Sequence, residues 1–337
     1  MWRCYRGGLL LERLLGEAAP ADGDRPEAWL ASTTRAINGP HSQGPDEGLS
    51  RVRGERCEPG PLLADVLPGG AHPGVLCKLL DTAMRLPIQC HPDRAMARAH
   101  FDSEHGKSEV WLVLGTREID GRAPHLLLGF GSGATREDFG EAVQRQDVAA
   151  MQAMLHRVPV AAGDAFLVPG RLPHAIGPGV LMLEVQEPTD WVVQPERMVG
   201  EVELADSDMW GPLAPEVALD VFDFEARGGV EAVLGRTRLR WEEARREEGG
   251  AVERLVGSWG EVRFTIERVT VLRTLELPPA IGNRMAVVLQ ARGGVLEHRG
   301  RALELRPGDS LVLPDGVGPL RLRAREAPLV VVLAAAV

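Results

Sequence analysis

Residues 86–111 read LPIQCHPDRAMARAHFDSEHGKSEVW. The run LPIQCH has the apolar content of a short strand, and side chains two apart on a strand leave it on the same face. Gln89 and His91 therefore project together, while Cys90 faces the other way as a buried thiol. A second apolar run, EVWLVLG, opens on Glu109, two residues after Lys107. A carboxylate at the head of an apolar strand needs a partner once it is buried. Outward from this stretch, short apolar runs recur through residues 62–191: GVLCKLL, HLLLGF, AFLVPG and GVLMLEVQ, each punctuated by Gly, Pro or Asp. Many short strands of this kind make a sandwich or barrel.

Between them, TREDFGEAVQRQDVAAMQAMLHRV (135–158) has helical spacing. Thr135 precedes Asp138 by three, and Phe139, Val143 and Val148 supply an apolar stripe, so one or two short helices are expected there. APEVALDVFDFEARGG (214–229) is expected to form another helix, and the charged RWEEARREEGGAVERLVG (240–257) a connector or mobile flap. Strand signals then resume: EVRFTIERV, RMAVVLQ, GVLEHRG, DSLVLP, PLRLRA and PLVVVLA. The chain divides into a larger β-rich unit with helical insertions, residues 1–235, and a smaller all-β unit, residues 236–337. The two share a phrase. GDAFLVP (163–169) and GDSLVLP (308–314) each describe a tight turn feeding a strand. His174 lies five residues beyond the first proline, and Pro319 stands at that offset in the second copy.

The 337 residues are enough for two cores. A net charge of −10 argues against general affinity for nucleic acid or an anionic membrane surface. No run of about 18 apolar residues is present, so no spanning helix is expected. Glu12 and Glu17 interrupt the apolar N-terminal stretch, which disfavours a secretory signal. Cys4, Cys57, Cys77 and Cys90 have no CxxC spacing and suit a reducing cytoplasm. Nearly every cation is arginine; the two lysines are Lys78 and Lys107. A lysine kept in such a chain is a candidate for a role that guanidinium cannot fill.

Gln89, His91, Glu109 and His174 together read as a metal site. Imidazole nitrogen, carboxylate oxygen and amide oxygen suit Zn²⁺ or another divalent first-row ion. Strands of a small barrel would aim these groups inward at one point. His41, His72, His100, His105, His125, His156 and His298 lack such a framework and are expected on the surface or in loops.

IQCHP, then GKSEVW, then GDAFLVPGRLPHAIGPG closely resemble the type I phosphomannose isomerases, which are cupin-fold mannose-6-phosphate isomerases. WRCYRGGLLLERLLG resembles that family's opening Trp-Gly-Gly segment, PEAWLAST its Glu-x-Trp strand, and LCKLLD its Lys-Leu-Leu-Asp strand. The resemblance covers most of the first 200 residues and the remainder more weakly. It implies a mainly β protein of two cupin-like, jelly-roll barrels with short helical insertions, the second barrel lacking metal ligands. It makes His91, Glu109 and His174 ligands of one zinc per chain, with Gln89 a fourth, and Lys107 an active-site lysine. Glu184 and Asp190 match positions near the sugar site, while Glu187, Trp191 and Trp111 read as packing or rim residues.

The implied activity is interconversion of mannose 6-phosphate and fructose 6-phosphate through a cis-enediol, in a cytoplasmic monomer or weak homo-oligomer whose partner is a phosphorylated hexose. One departure stands out in LEVQEPTDWVVQPERM (183–198): Gln194 occupies the position at which the family has an arginine assigned to catalysis. Arg197 takes its place only if the chain loops at Pro195. Two other readings stay open: a sugar-binding or regulatory protein that has lost turnover, motivated by Gln194, and a different cupin metalloenzyme such as an iron oxygenase, for which two histidines and a carboxylate suffice.

Overall fold

The central strands carry apolar residues on both faces because both faces are buried. The computed structural model describes residues 1–38, 41–54, 58–67, 73–257, 260, 262–277, 282–326 and 328–337; Cys57 and His72 lie outside them. In the strand Glu109–Thr116, Val110 and Leu112 enter one core while Trp111 and Val113 enter another. Leu79 and Leu183 share the first of these cores; Leu80 and Met182 share the second. Alternation along each strand thus sends polar residues such as Lys78, Glu109 and Glu184 to the same side as Trp111.

In chain order the barrel strands are β1 (Glu27–Leu30), β2 (Leu76–Asp81), β3 (Glu109–Thr116), β4 (His125–Phe130), β5 (Leu155–Pro159), β6 (Ala165–Val168), β7 (His174–Ile176) and β8 (Val180–Gln186). They continue as β9 (Arg238–Glu247), β10 (Gly250–Val256), β11 (Phe264–Val271), β12 (Thr274–Leu277), β13 (Arg284–Gln290), β14 (Gly294–His298), β15 (Arg301–Leu305), β16 (Ser310–Leu313), β17 (Leu320–Arg323) and β18 (Leu329–Ala336). One long sheet runs β1-β2-β8-β3-β6-β9-β10-β11-β18-β13-β16. Two smaller sheets, β5-β4-β7 and β12-β17-β14-β15, accompany its two halves. The result is the expected pair of cupin-like barrels, mainly β. Aromatic residues including Trp111, Phe130, Phe139 and Phe166 fill the first, and Leu275, Val288, Leu322 and Val331 the second. A third core, with Leu79, Leu112, Leu167, Ile266, Met285 and Val332, lies on the other face of the long sheet and draws on both halves.

The shared phrase marks a shared topology. The order β2-β8-β3-β6 recurs as β11-β18-β13-β16, and β5-β4-β7 recurs as β15-β14-β17. Gly163 and Gly308 both adopt positive φ, 98° and 85°, at the turn that enters β6 or β16. Gly163 N–H donates to Val113 O and Gly308 N–H to Val288 O, both at 2.8 Å. Asp164 then accepts from Ala161 N–H at 3.0 Å, as Asp309 does from Arg306 N–H at 2.8 Å. The register extends the match: Glu109 lies opposite Val168, and Arg284 opposite Leu313. Glu109 and His174 of the first barrel thus correspond to Arg284 and Pro319 in the second, a pair that cannot ligate a cation.

Four expectations need correction. LPIQCH does not form a strand. It makes only single bridges at Gln89 and Cys90, because Pro87 and Pro92 lack the N–H that a ladder requires. Residues 214–229 hold just one short helical turn, Pro215–Ala218, followed by a 3₁₀ turn, Leu219–Val221. Beyond them Phe222 and Phe224 both enter the first core, and the extended chain puts both rings on one side; Phe224 stacks on Phe130 with centroids 4.5 Å apart. The charged stretch 240–257 is no flap but most of the β9–β10 hairpin, whose exposed face is laced by pairs such as Arg246–Glu243 and Arg254–Glu267. His125, expected on the surface or in a loop, is buried at the start of β4; His41 is exposed as expected and stacks on Trp2, ring centroids 4.1 Å apart. The helices expected over 135–158 form as Arg136–Arg145 and Val148–Ala153, with Thr135 accepting from Asp138 N–H.

Candidate metal centre

Three motif segments meet at the turn His91-Pro92-Asp93. Gln89 and His174 exchange backbone hydrogen bonds of 2.8 and 2.9 Å, Lys107 N–H donates to Pro92 O at 3.0 Å, and Arg171 N–H donates to His91 O at 2.7 Å. Asp93 caps the helix Arg94–His100 by accepting from Met96 N–H at 2.8 Å. The approach is so close that a Cβ on Gly106 or on Gly170 would lie 2.8 Å from backbone atoms of Asp93. Only glycine fits at either position. Glu187 secures the GKSE loop from outside, with one carboxylate oxygen 2.6 Å from Arg94 Nε and the other 3.1 Å from Ser108 N.

At this junction His91, Glu109 and His174 are buried, with their candidate ligand atoms all within 4.8 Å of one another. His91 Nε2 is 3.1 Å from Glu109 Oε1, and Lys107 Nζ is 3.2 Å from the same oxygen. Each imidazole is held through its other nitrogen: His91 Nδ1 is 2.9 Å from Trp191 O, and His174 Nδ1 is 2.7 Å from Leu172 O. A ring that donates from Nδ1 to a carbonyl presents a lone pair at Nε2. His174 Nε2 is buried and has no hydrogen-bond partner among the described residues. Burial, then the charge on His91, push the His174 imidazole down to about 3, so the ring is neutral at pH 7. Burial and the ammonium of Lys107 lower His91 as well. Burial alone would raise Glu109, but His91 and Lys107 outweigh it and hold the carboxyl well below the usual range. Two neutral, oriented imidazoles and a carboxylate, one nitrogen unpartnered, form a donor set that fits a divalent cation.

The sheet explains the neighbours of this cluster. Trp29, Lys78, Glu184, Trp111 and Phe166 lie directly opposite one another across β1, β2, β8, β3 and β6. Along that rung Lys78 Nζ sits 4.7 Å from the Trp29 ring centroid and 3.2 Å from Glu184 Oε1. The Trp111 indole N–H then bridges two carboxylates, 3.1 Å from Glu184 Oε2 and 3.0 Å from Glu109 Oε2. Trp111 is therefore a link between the candidate ligand Glu109 and the rest of the site rather than a packing residue alone. Burial, followed by the charge on Glu109, raises the Glu184 carboxyl to about 7 against the pull of Lys78.

A cleft of about 170 Å³ opens over the cluster, with Lys107, Glu109, Gln89, Lys78, Glu184 and Asp190 among its lining residues. Lys78 and Lys107, the two lysines of the chain, are both buried in it, 4% and 5% exposed. Asp190 lies 3.8 Å from Lys78 and accepts from Ile37 N–H at 3.0 Å. Gln194 also lines the cleft, its amide donating to Asp208 O at 3.0 Å. Arg197 does not line it. The chain does leave strand geometry at Pro195, but the Arg197 guanidinium turns to Asp206 and to Leu204 O. Three full cations, Arg3, Lys78 and Lys107, face five carboxylates, Glu27, Glu109, Glu184, Asp190 and Asp208.

Residue patterns alone did not single out Arg3, Tyr5, Glu27 or Trp29 as site residues. Glu27 accepts from Arg3 Nε at 2.8 Å, Tyr5 OH at 2.6 Å and Trp29 Nε1 at 2.9 Å, and all but Trp29 line the cleft. Their only sequence signal lay in the N-terminal segments that resemble the family's opening.

Fold and cluster together define a two-barrel cupin with a buried His-Glu-His group able to hold a metal ion. The sequence is 30% identical over 186 residues to "Probable mannose-6-phosphate isomerase GmuF" of Bacillus subtilis (strain 168), a stretch covering 55% of each protein. It is 36% identical over 116 residues to the mannose-6-phosphate isomerase of Streptococcus mutans, covering 34% of each. The chain thus spans about half the length, or less, of the curated relatives it matches. No family model matches the sequence. The fold of the Bacillus subtilis mannose 6-phosphate isomerase superposes with a TM-score of 0.73 at 19% identity, over 99% of this chain and 96% of that one. In sequence over part of its length, and in fold over nearly all of it, the chain is similar to mannose-6-phosphate isomerases.

Proposed function

We propose that this protein is a zinc-dependent aldose–ketose isomerase that interconverts mannose 6-phosphate and fructose 6-phosphate through a cis-enediol. The observation that carries the reading is the unpartnered, buried Nε2 of His174 beside His91 and Glu109, under a cleft lined by both lysines. Zinc, held by His91, Glu109 and His174 with Gln89 beside them, would supply Lewis-acid polarisation of sugar oxygens. The protein supplies the rest. Lys107 points donors into the cleft from 3.2 Å beyond Glu109, where it can hydrogen-bond a sugar hydroxyl. Moving a proton between adjacent carbons requires a group that accepts and returns it near neutral pH. Glu184, with its carboxyl near 7, meets that requirement, and Lys78 at 3.2 Å stabilises its charged form. Trp111 fixes the orientation of Glu184 and Glu109 through one shared N–H. With this activity we place a cytoplasmic metabolic enzyme, acting as a monomer or weak homo-oligomer.

A coupled assay on mannose 6-phosphate, before and after chelation and zinc repletion, tests the proposal. Turnover that vanishes on chelation and returns with zinc supports it; full activity in metal-free protein removes the metal from the mechanism. Gln194 favours a second reading, a sugar-phosphate binder without turnover, since an amide stabilises negative charge less than a guanidinium does. Binding of mannose 6-phosphate with no conversion would select it.

A further inference from the structure

We propose that Arg3 binds the phosphoryl group of the substrate, a role that rests on the sugar-phosphate reading above. Arg3 is the one arginine lining the cleft among the described residues. The other full cations there are committed to the sheet side: Lys107 to Glu109 and His91, Lys78 to Glu184 and Asp190. Gln194 carries no charge, and Arg197 faces Asp206 outside the cleft.

Arg3 is held for this task. Its Nε donates to Glu27 at 2.8 Å and its Nη1 to Asn38 at 2.6 Å, and the guanidinium carbon lies 5.1 Å from the Trp29 ring centroid. Nη2 makes no hydrogen bond among the described residues, and the side chain stays 13% exposed. With Nε and Nη1 each anchored once, the Nη2 donors remain for an anion, and phosphate oxygens accept from such charged donors. Glu27 does not require Arg3 for all its hydrogen bonds, since Tyr5 and Trp29 also donate to it. Arg3 shares its wall of the cleft with Trp2, Asn38 and His41, the N-terminal wall, whereas the metal cluster sits beside the sheet. In this assignment the reacting carbons of the hexose phosphate lie at the metal cluster and its dianion at Arg3.

The test compares zinc-loaded wild type with Arg3→Met, and with Arg3→Met/Glu27→Gln so that no buried carboxylate is left without its cation. For each, KM and kcat are measured on mannose 6-phosphate, the Kd for inorganic phosphate by calorimetry, and the Tm. The proposal expects KM and the phosphate Kd to rise about 10- to 100-fold in both variants, the size of a lost charge-assisted pair, with a smaller fall in kcat. Arg3→Lys should recover part of the phosphate affinity. A phosphate Kd unchanged in the double variant, or a fall in kcat with KM unmoved, overturns the assignment. If wild type binds phosphate through Arg3 yet turns over no mannose 6-phosphate, the isomerase reading fails while the Arg3 site stands.

Discussion

His91 and His174 face each other with ring centroids 4.8 Å apart, and each is locked by a hydrogen bond from Nδ1 to a backbone carbonyl. The carbonyls belong to Trp191 and Leu172, in two separate segments of the chain. Both Nε2 atoms are thereby oriented before any ion arrives, so metal affinity depends on residues well outside the ligand set.

Trp111→Phe tests that dependence. It removes the single N–H shared by Glu109 and Glu184 while keeping most of the buried aromatic surface. Loss of an outer partner of a ligand lowers metal affinity about 10- to 100-fold. Zinc titration against a competing chelator, with far-UV circular dichroism to confirm the fold, should show that drop. An unchanged affinity would mean that the indole only packs.

Gly106→Ala should damage the centre through sterics alone. The new Cβ would meet Pro92 O and Asp93 C at 2.8 Å, and both are backbone atoms that cannot rotate aside. The GKSE loop must then separate from the His91 turn, at a cost of about 1–3 kcal/mol in stability and a larger loss of metal affinity. Denaturant melts and zinc titration measure the two effects separately.

Gln194→Arg addresses the one noted departure of the chain from the family it resembles. With Arg3 serving the anion, the added guanidinium should leave kcat on mannose 6-phosphate within about threefold of wild type, less than 1 kcal/mol in the barrier. A large gain would show that native Gln194 limits turnover.

The Glu27 cluster sets a pH dependence of stability. Burial by itself would raise the Glu27 carboxyl, but Arg3, Lys78 and hydrogen bonds from Tyr5 and Trp29 hold it far below its ordinary 4.5. A carboxyl lowered in the folded state contributes stability that is fully present above its unfolded value and is lost as pH falls. Thermal melts from pH 7 down to pH 3 should therefore show destabilisation beginning near pH 4.5, with a shallower slope in Glu27→Gln. The difference at stake is on the order of 2 kcal/mol. Equal slopes would show that Glu27 titrates alike in both states.

Much of this was legible in the sequence because the relevant groups sit on short motifs with strand or turn spacing. His91, Glu109 and His174 announced themselves as polar residues at the edges of apolar runs, and GDAFLVP with GDSLVLP revealed the doubled topology. The N-terminal wall was harder. Arg3 and Glu27 meet across 24 residues of chain, and neither stands in a pattern that betrays burial. Trp111 was read as packing because its apolar bulk hides one N–H whose partners lie on two strands. The β9–β10 hairpin gave the opposite signal: the charged residues along β9, paired with one another on its exposed face, leave few apolar residues to alternate.

Zinc stoichiometry is the most direct test of the metal centre. Purified protein is stripped with chelator, dialysed against limiting zinc and assayed by elemental analysis, alongside His174→Ala and Glu109→Gln. Wild type should retain about one zinc per chain and each variant far less, with all three folded. Wild type that retains none, or His174→Ala that retains as much as wild type, would contradict the assignment of His91, Glu109 and His174 to a shared cation.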